Sequence, residues 1–163
     1  MYMGHVAVGI AAKGATPDTP IVALALAPIT PDLGDIMLGI VGVRHSWHYT
    51  HTLPAAAALA IAVGMIGLVV YGRRAAAVLA ALAATHVPLD YVTSRLGMLP
   101  SGPVVGLGLY AQPVVDFVVE SLVIAAGWWL YRSTLPDKRR NHAAVPAIAA
   151  VMLVFQAIWA AML

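Results

Sequence analysis

The sequence predicts an all-α, multi-pass membrane helix bundle, with four full spans, or five with a broken or re-entrant N-terminal segment. Three observations carry this. Of 163 residues, 61% are hydrophobic and only 10% charged, with a mean hydropathy of +0.87, well outside the range of soluble domains. Two stretches, LPAAAALAIAVGMIGLVVY (53–71) and AAVPAIAAVMLVFQAIWAAML (143–163), carry no charge and are long enough to cross a bilayer. Two more, AAAVLAALAATHVPLDYV (75–92) and PVVDFVVESLVIAAGWWLY (113–131), would cross as well, although each contains ionisable residues. The length fits a single integral domain, 1–163.

Taken in order, residues 2–12 would reach only roughly 17 Å as a helix, about half a bilayer core. The start, MYMGHVAVGIAAKG, lacks the basic n-region and cleavage site of a secretory signal. KGATPDTP (13–20) is a turn rich in helix breakers. Residues 21–43 are long enough to cross, but Pro28, Pro31, Asp32, Gly34 and Asp35 interrupt them. Such a broken helix is tolerated at membrane depth only where it is buried or lines a wet cavity. RHSWHYTHT (44–52) forms one loop, and the Gly- and Pro-rich stretch 93–112 forms another.

Lysine and arginine fall unevenly on an up-down reading. Lys13, Arg73, Arg74, Arg132, Lys138, Arg139 and Arg140 lie on one side, and only Arg44 and Arg95 on the other. The positive-inside rule then places 73–74 and 132–142 in the cytoplasm, in a plasma (inner) membrane. Trp128, Trp129 and Tyr131 beside Arg132 read as an interfacial aromatic belt. The basic run 138–140 reads as a topology anchor, so no nucleic-acid partner is expected; the partner is membrane lipid, as environment and as substrate class.

The ionisable residues inside the apolar spans are the functional signal. Each costs at least a few kcal/mol in hydrocarbon, so such groups face a bundle interior or a wet cavity. His86 and Asp90 are spaced i,i+4, as are Asp116 and Glu120, which puts each pair on one helix face. Measured from Arg74 and Arg132, His86 and Glu120 both lie roughly 18 Å along their helices, and Asp90 and Asp116 roughly 24 Å. His51 enters its helix from the same side, and Asp32 and Asp35 lie toward it, so the polar groups fall in one layer. Pro88 frees the carbonyl of Ala84 and opens the helix beside this layer.

With no cysteine, any metal must use nitrogen and oxygen ligands. His86-x-x-x-Asp90 suits one ion, or a ligand and its carboxylate partner; alone it is more often a hydrogen-bonded pair gluing helices. His48-x-x-His51 spans one helical turn and is alternatively interfacial. Asp32-x-x-Asp35 is alternatively a pair of helix caps. In one layer, the three groups favour a metal. His5 either faces the same cavity or is a satisfied core histidine, and His142 belongs to the interface.

The stretches PITPDLGDIMLG, HYTHTL, THVPLDYVTSR and VGLGLYAQPVVDFVVE resemble, in order and spacing, the motifs of the predicted bacterial and archaeal membrane-bound metal-dependent hydrolases. The resemblance runs from MGHVAVGIAAK to the glutamate span. It implies a small multi-helix membrane protein with metal ligands at His5, Asp32, His51, His86 and Asp90, and it matches Glu120 to the acid after a glycine-aromatic motif. Ser94 stands where many relatives carry a further histidine. A weaker resemblance is to the zinc-dependent phospholipase C group, in which Asp116 would take the place of a histidine.

The function expected from these readings is a metal-dependent hydrolase with its site near the outer membrane face, cleaving a phosphoester or ester of a lipid. The cofactor is a divalent metal, zinc before manganese or iron. Glu120 or Asp116 would take a proton from water, and Arg95 would clamp a phosphate. The alternatives are a cation or metal transporter and a catalytically inactive membrane partner protein.

Overall fold

A computed structural model describes residues 1–45, 47–99 and 102–163, without the side chains of Trp47 and His48. Among the described residues, five helical stretches are long and apolar enough to cross a membrane: Ile21–Ile40, Leu53–Tyr71, Arg73–Thr93, Pro113–Ser133 and Ala144–Met162. The protein is therefore a multi-pass, all-α membrane protein, and the first of the five is the broken segment.

The chain opens with α1 (Met3–Ala11), a half-length helix in the middle of the bundle. It packs on α2 (Ile21–Leu26) and on α8 (Pro113–Ser133). Two glycines permit this closeness: a Cβ on Gly9 would strike the backbone of Leu24, and one on Gly127 would strike the carbonyl of Ala7. Small residues at such crossings let helices approach within a membrane, where packing replaces the hydrophobic drive. Ala7, Ile10, Ile124 and Met152 form the buried cluster around α1.

The first span is three pieces: α2, a 3-10 turn at Ala27–Ile29 containing Pro28, and α3 (Thr30–Ile40) with Pro31 in its first turn. A short α4 (Trp47–Thr50) leads to α5 (Leu53–Tyr71). Thr52 caps α5 by accepting from the Ala55 amide at 3.4 Å. At Gly72, φ is +85°, and this single residue reverses the chain into α6 (Arg73–Ala84). Gly64 and Gly67 of α5 lie against Ala80 and Ala76 of α6, while Ile61, Met65, Ile66 and Val69 face outward to lipid.

The third span breaks at Thr85, between α6 and α7 (His86–Thr93), as Pro88 predicts. The following loop contains a feature with no sequence signature. Leu96–Gly97 (β1) and Val104–Val105 (β2) form a two-residue antiparallel ladder, and the Met98 carbonyl accepts from the Leu53 amide at 2.9 Å. After α8 come a short α9 (Asp137–Arg140) and α10 (Ala144–Met162), which packs on α8 and α1.

Candidate metal centre

Five of the predicted ligands, His5, Asp32, His51, His86 and Asp90, come together, each at or near the start of a helix, whereas Asp35 lines the adjoining cavity and belongs to neither group close enough to share an ion. His5 is in the first turn of α1, and Asp32 is in the first turn of α3. His51 directly precedes the Thr52 cap, while His86 opens α7 with Asp90 one turn on. Pro31, Pro54 and Pro88 lie in the first turns of α3, α5 and α7, where proline is suited, while the start of α1 carries none.

Nε2 of His86 lies 3.2 Å from Asp90 Oδ2 and 3.9 Å from Asp32 Oδ1. Nε2 of His51 lies 3.1 Å from Asp32 Oδ1 and 3.8 Å from Asp90 Oδ2. Nε2 of His5 is 3.5 Å from Asp90 Oδ1. The His5 ring stacks on His86 at 4.4 Å between centroids, and His51 meets His86 edge-on at 4.9 Å. Two overlapping triads, His5–Asp32–His86 and His51–His86–Asp90, each place their ligand atoms within 4.8 Å of one another.

The other nitrogen of each ring points away from the centre to an oxygen. Nδ1 of His86 meets the Pro28 carbonyl at 2.8 Å, Nδ1 of His51 meets the Thr50 hydroxyl at 2.8 Å, and Nδ1 of His5 meets the Met1 carbonyl. A proton on Nδ1 leaves the Nε2 lone pair free for a ligand, the usual arrangement behind metal-bound histidines. Nε2 of His5 and of His86 are buried, and although each lies within 3.5 Å of an Asp90 oxygen neither makes a hydrogen bond of good geometry. A buried ring nitrogen without a partner is costly, and an ion at the centre would satisfy both. The residues present therefore fit a divalent metal. The Met1 nitrogen is hydrogen-bonded to Asp90 and lies 2.5 Å from Thr93 Oγ1.

Not every predicted site residue joins the centre. Both Glu120 oxygens are engaged, by the Tyr2 amide at 2.7 Å and the Gly4 amide at 3.0 Å. Asp116 accepts from Gln156 Nε2 at 3.3 Å, and its Oδ1 is buried without a partner. Neither acid belongs to the groups close enough to share an ion, and neither lines the adjoining cavity. The side chain of His48 lies outside the described residues. His142 is exposed, with its ring against the Ala144 amide.

Beside the centre is a cavity of about 800 Å³. Asp32, Asp35, His51, Asp90, Arg95 and Tyr110 give it polar character, and Ser94 lies on its wall. Burial, and then the charge of Glu120, push the Tyr110 phenol above its ordinary pKa, so it remains an O–H donor. Thr50 is a supporting residue whose signal was present in the sequence, in the threonines flanking His51. Tyr110 lies in the glycine-aromatic stretch VGLGLYAQ, whereas the Pro28 carbonyl and Trp159 had no such signal. Searches of protein-family models, curated proteins and solved structures find nothing that matches this chain.

Proposed function

We propose that this protein is a metal-dependent hydrolase of the cytoplasmic membrane, cleaving an ester or phosphoester at a site toward the outer face. The observation that supports this reading is the convergence of three imidazole Nε2 atoms and two aspartates beside a cavity. His5, Asp32, His51, His86 and Asp90 would hold the ion, zinc before manganese or iron. A bound ion of this kind supplies Lewis acidity to the bond being cleaved and makes water a stronger nucleophile at neutral pH.

The chain's own groups do the rest. The Pro28 carbonyl and the Thr50 hydroxyl fix the tautomer and tilt of two rings. Asp35, one turn after Asp32 and on the cavity wall, takes the proton that water loses as its oxygen bonds to the phosphorus or acyl carbon. The same proton returns to the departing oxygen as the ester bond breaks. Arg95 offers its planar guanidinium to negative charge on the substrate. The basic loops supply the orientation: Gly14, beside Lys13, lies against Thr134 at the end of the bundle remote from the ligands.

The test is elemental analysis of the purified protein, with hydrolysis of p-nitrophenyl phosphate and p-nitrophenyl butyrate before and after chelation. The expected result is bound divalent metal, and cleavage of one ester that disappears with chelator and in His86→Ala. Bound metal without cleavage of any ester would turn the reading to a cation carrier. Absence of metal would turn it to an inert membrane partner.

A further inference from the structure

The cavity has a mixed lining. Asp32, Asp35, His51, Asp90, Arg95 and Tyr110 are polar. Val6, Ile29, Leu33, Ile36 and Trp159 make an apolar remainder. The walls of that remainder come from elements with different packing partners. Leu33 and Ile36 belong to α3, which packs on its own 3-10 turn, α4 and α5, whereas Trp159 belongs to α10, which packs on α8 and α1. Val6 of α1 stands behind them. The cavity is thus a cleft between two membrane spans, backed by the central half-helix. Leu33 is 37% exposed and Ile36 57% exposed, so the cleft opens along the outer side of α3. On a membrane span that side faces lipid.

Arg95 lines the same cavity as Asp32, His51 and Asp90, and among the described residues it has no carboxylate within ion-pair distance. Its aliphatic stem lies over Gly108, where φ is +68° and a Cβ would come within 3.3 Å of that stem. Trp159 is held at the cavity edge by stacking on Tyr2 at 4.9 Å between centroids and by an edge contact with Tyr110. A cavity of about 800 Å³ is in the range of small-molecule sites, roughly 300–1,000 Å³. That is room for a headgroup and the first part of a chain, with the remainder of the chain left in the bilayer.

We infer that the cleft between α3 and α10 is a lateral entry for a phosphate-bearing lipid. The acyl chain lies along Ile36, Ile29 and Trp159, the phosphate meets Arg95, and the ester to be cleaved reaches Asp32, His51 and Asp90. The order of cleavage rests on the hydrolase reading, but the binding does not. The probe is lysophosphatidic acid, a single-chain phosphate lipid, with glycerol 3-phosphate and inorganic phosphate as chainless competitors. Retention is read by native mass spectrometry of the detergent-purified protein in chelator, so that no turnover intervenes.

The lipid is expected to be retained by wild type. Arg95→Gln should weaken it roughly tenfold or more, as loss of a charge-assisted contact does. Leu33→Trp and Ile36→Trp, which fill the cleft from exposed positions, should weaken it comparably, whereas Val69→Trp on the outer face of α5 should not. Displacement by glycerol 3-phosphate or phosphate at concentrations equal to the lipid would overturn the inference. So would equal retention in Leu33→Trp, Ile36→Trp and wild type, or equal loss in Val69→Trp. Retention with this pattern in a protein that cleaves no ester would sustain the lipid site while removing the hydrolase reading.

Discussion

Nδ1 of His86 lies 2.8 Å from the carbonyl of Pro28, 58 residues earlier in the chain. The contact joins two interrupted spans at their interruptions. In an unbroken α-helix the carbonyl of residue 28 would accept from the amide of residue 32, but the 3-10 turn at Ala27–Ile29 leaves it to the imidazole. Pro28→Ala removes one cause of that turn. The expected outcome is a metal affinity about 10–100-fold weaker, as for other groups that orient a ligand. Competition with a chelating dye gives the dissociation constant, and an unchanged value would remove the orienting role.

Glu120 accepts two amides at the start of α1, the helix that carries His5. It is read as a positioning residue. Gln keeps only one acceptor oxygen and no charge, so Glu120→Gln should release the end of α1 and weaken metal retention, to a degree similar to His5→Ala. A variant that keeps full metal and loses only turnover would instead identify Glu120 as a base.

Asp35 carries the opposite expectation. Asp35→Asn should hold metal like wild type but lose about 10²–10⁴-fold in turnover, the usual contribution of a general base. Metal content and rate measured on one preparation separate the two acids.

The uneven lysine and arginine distribution predicts the orientation. Leu99, 53% exposed in the loop after α7, and exposed Ser133 at the end of α8 are the reporters. With Leu99→Cys and Ser133→Cys in this cysteine-free chain, a membrane-impermeant thiol reagent on intact cells should label only Leu99→Cys. Labelling of Ser133→Cys alone would invert the topology.

Packing of the central helix gives a stability prediction. Gly127→Leu forces a side chain against the Ala7 backbone. Overpacking of this kind costs about 1–3 kcal/mol or more. A lower unfolding temperature in detergent, together with reduced metal content because His5 is displaced, is the expected pair of results. Wild-type values for both would show that α1 yields without cost.

The parts of this architecture legible in the sequence were those with local causes. The run 53–71 is α5 to the residue, because an uncharged stretch with Thr52 before it and Gly72 after it carries its own start and stop. Breaks at Pro28 and Pro88 were legible for the same reason. The short reach of residues 2–12 could be computed, but their central position could not, since it depends on Gly9 and Gly127 meeting distant backbones. Depth along each helix correctly grouped His51, His86, Asp32 and Asp90 in one layer. It did not separate Glu120 from them, because rise per residue gives height and not the direction a side chain faces around the bundle axis. The two-residue ladder of β1 and β2 is too short to show any periodicity.

Gly4 and Glu120 are hydrogen-bonded across 116 residues of sequence. During synthesis α1 is complete long before α8 exists, so while the three preceding spans enter the bilayer it has α2 and the 3-10 turn beside it but not α8. The Glu120 seat at the start of α1, just before His5, is therefore completed only once α8 has been made. Biogenesis thus has a fixed order: nascent chains stalled before α8 lack the surface on which α1 settles, and that seat closes as a late event of assembly.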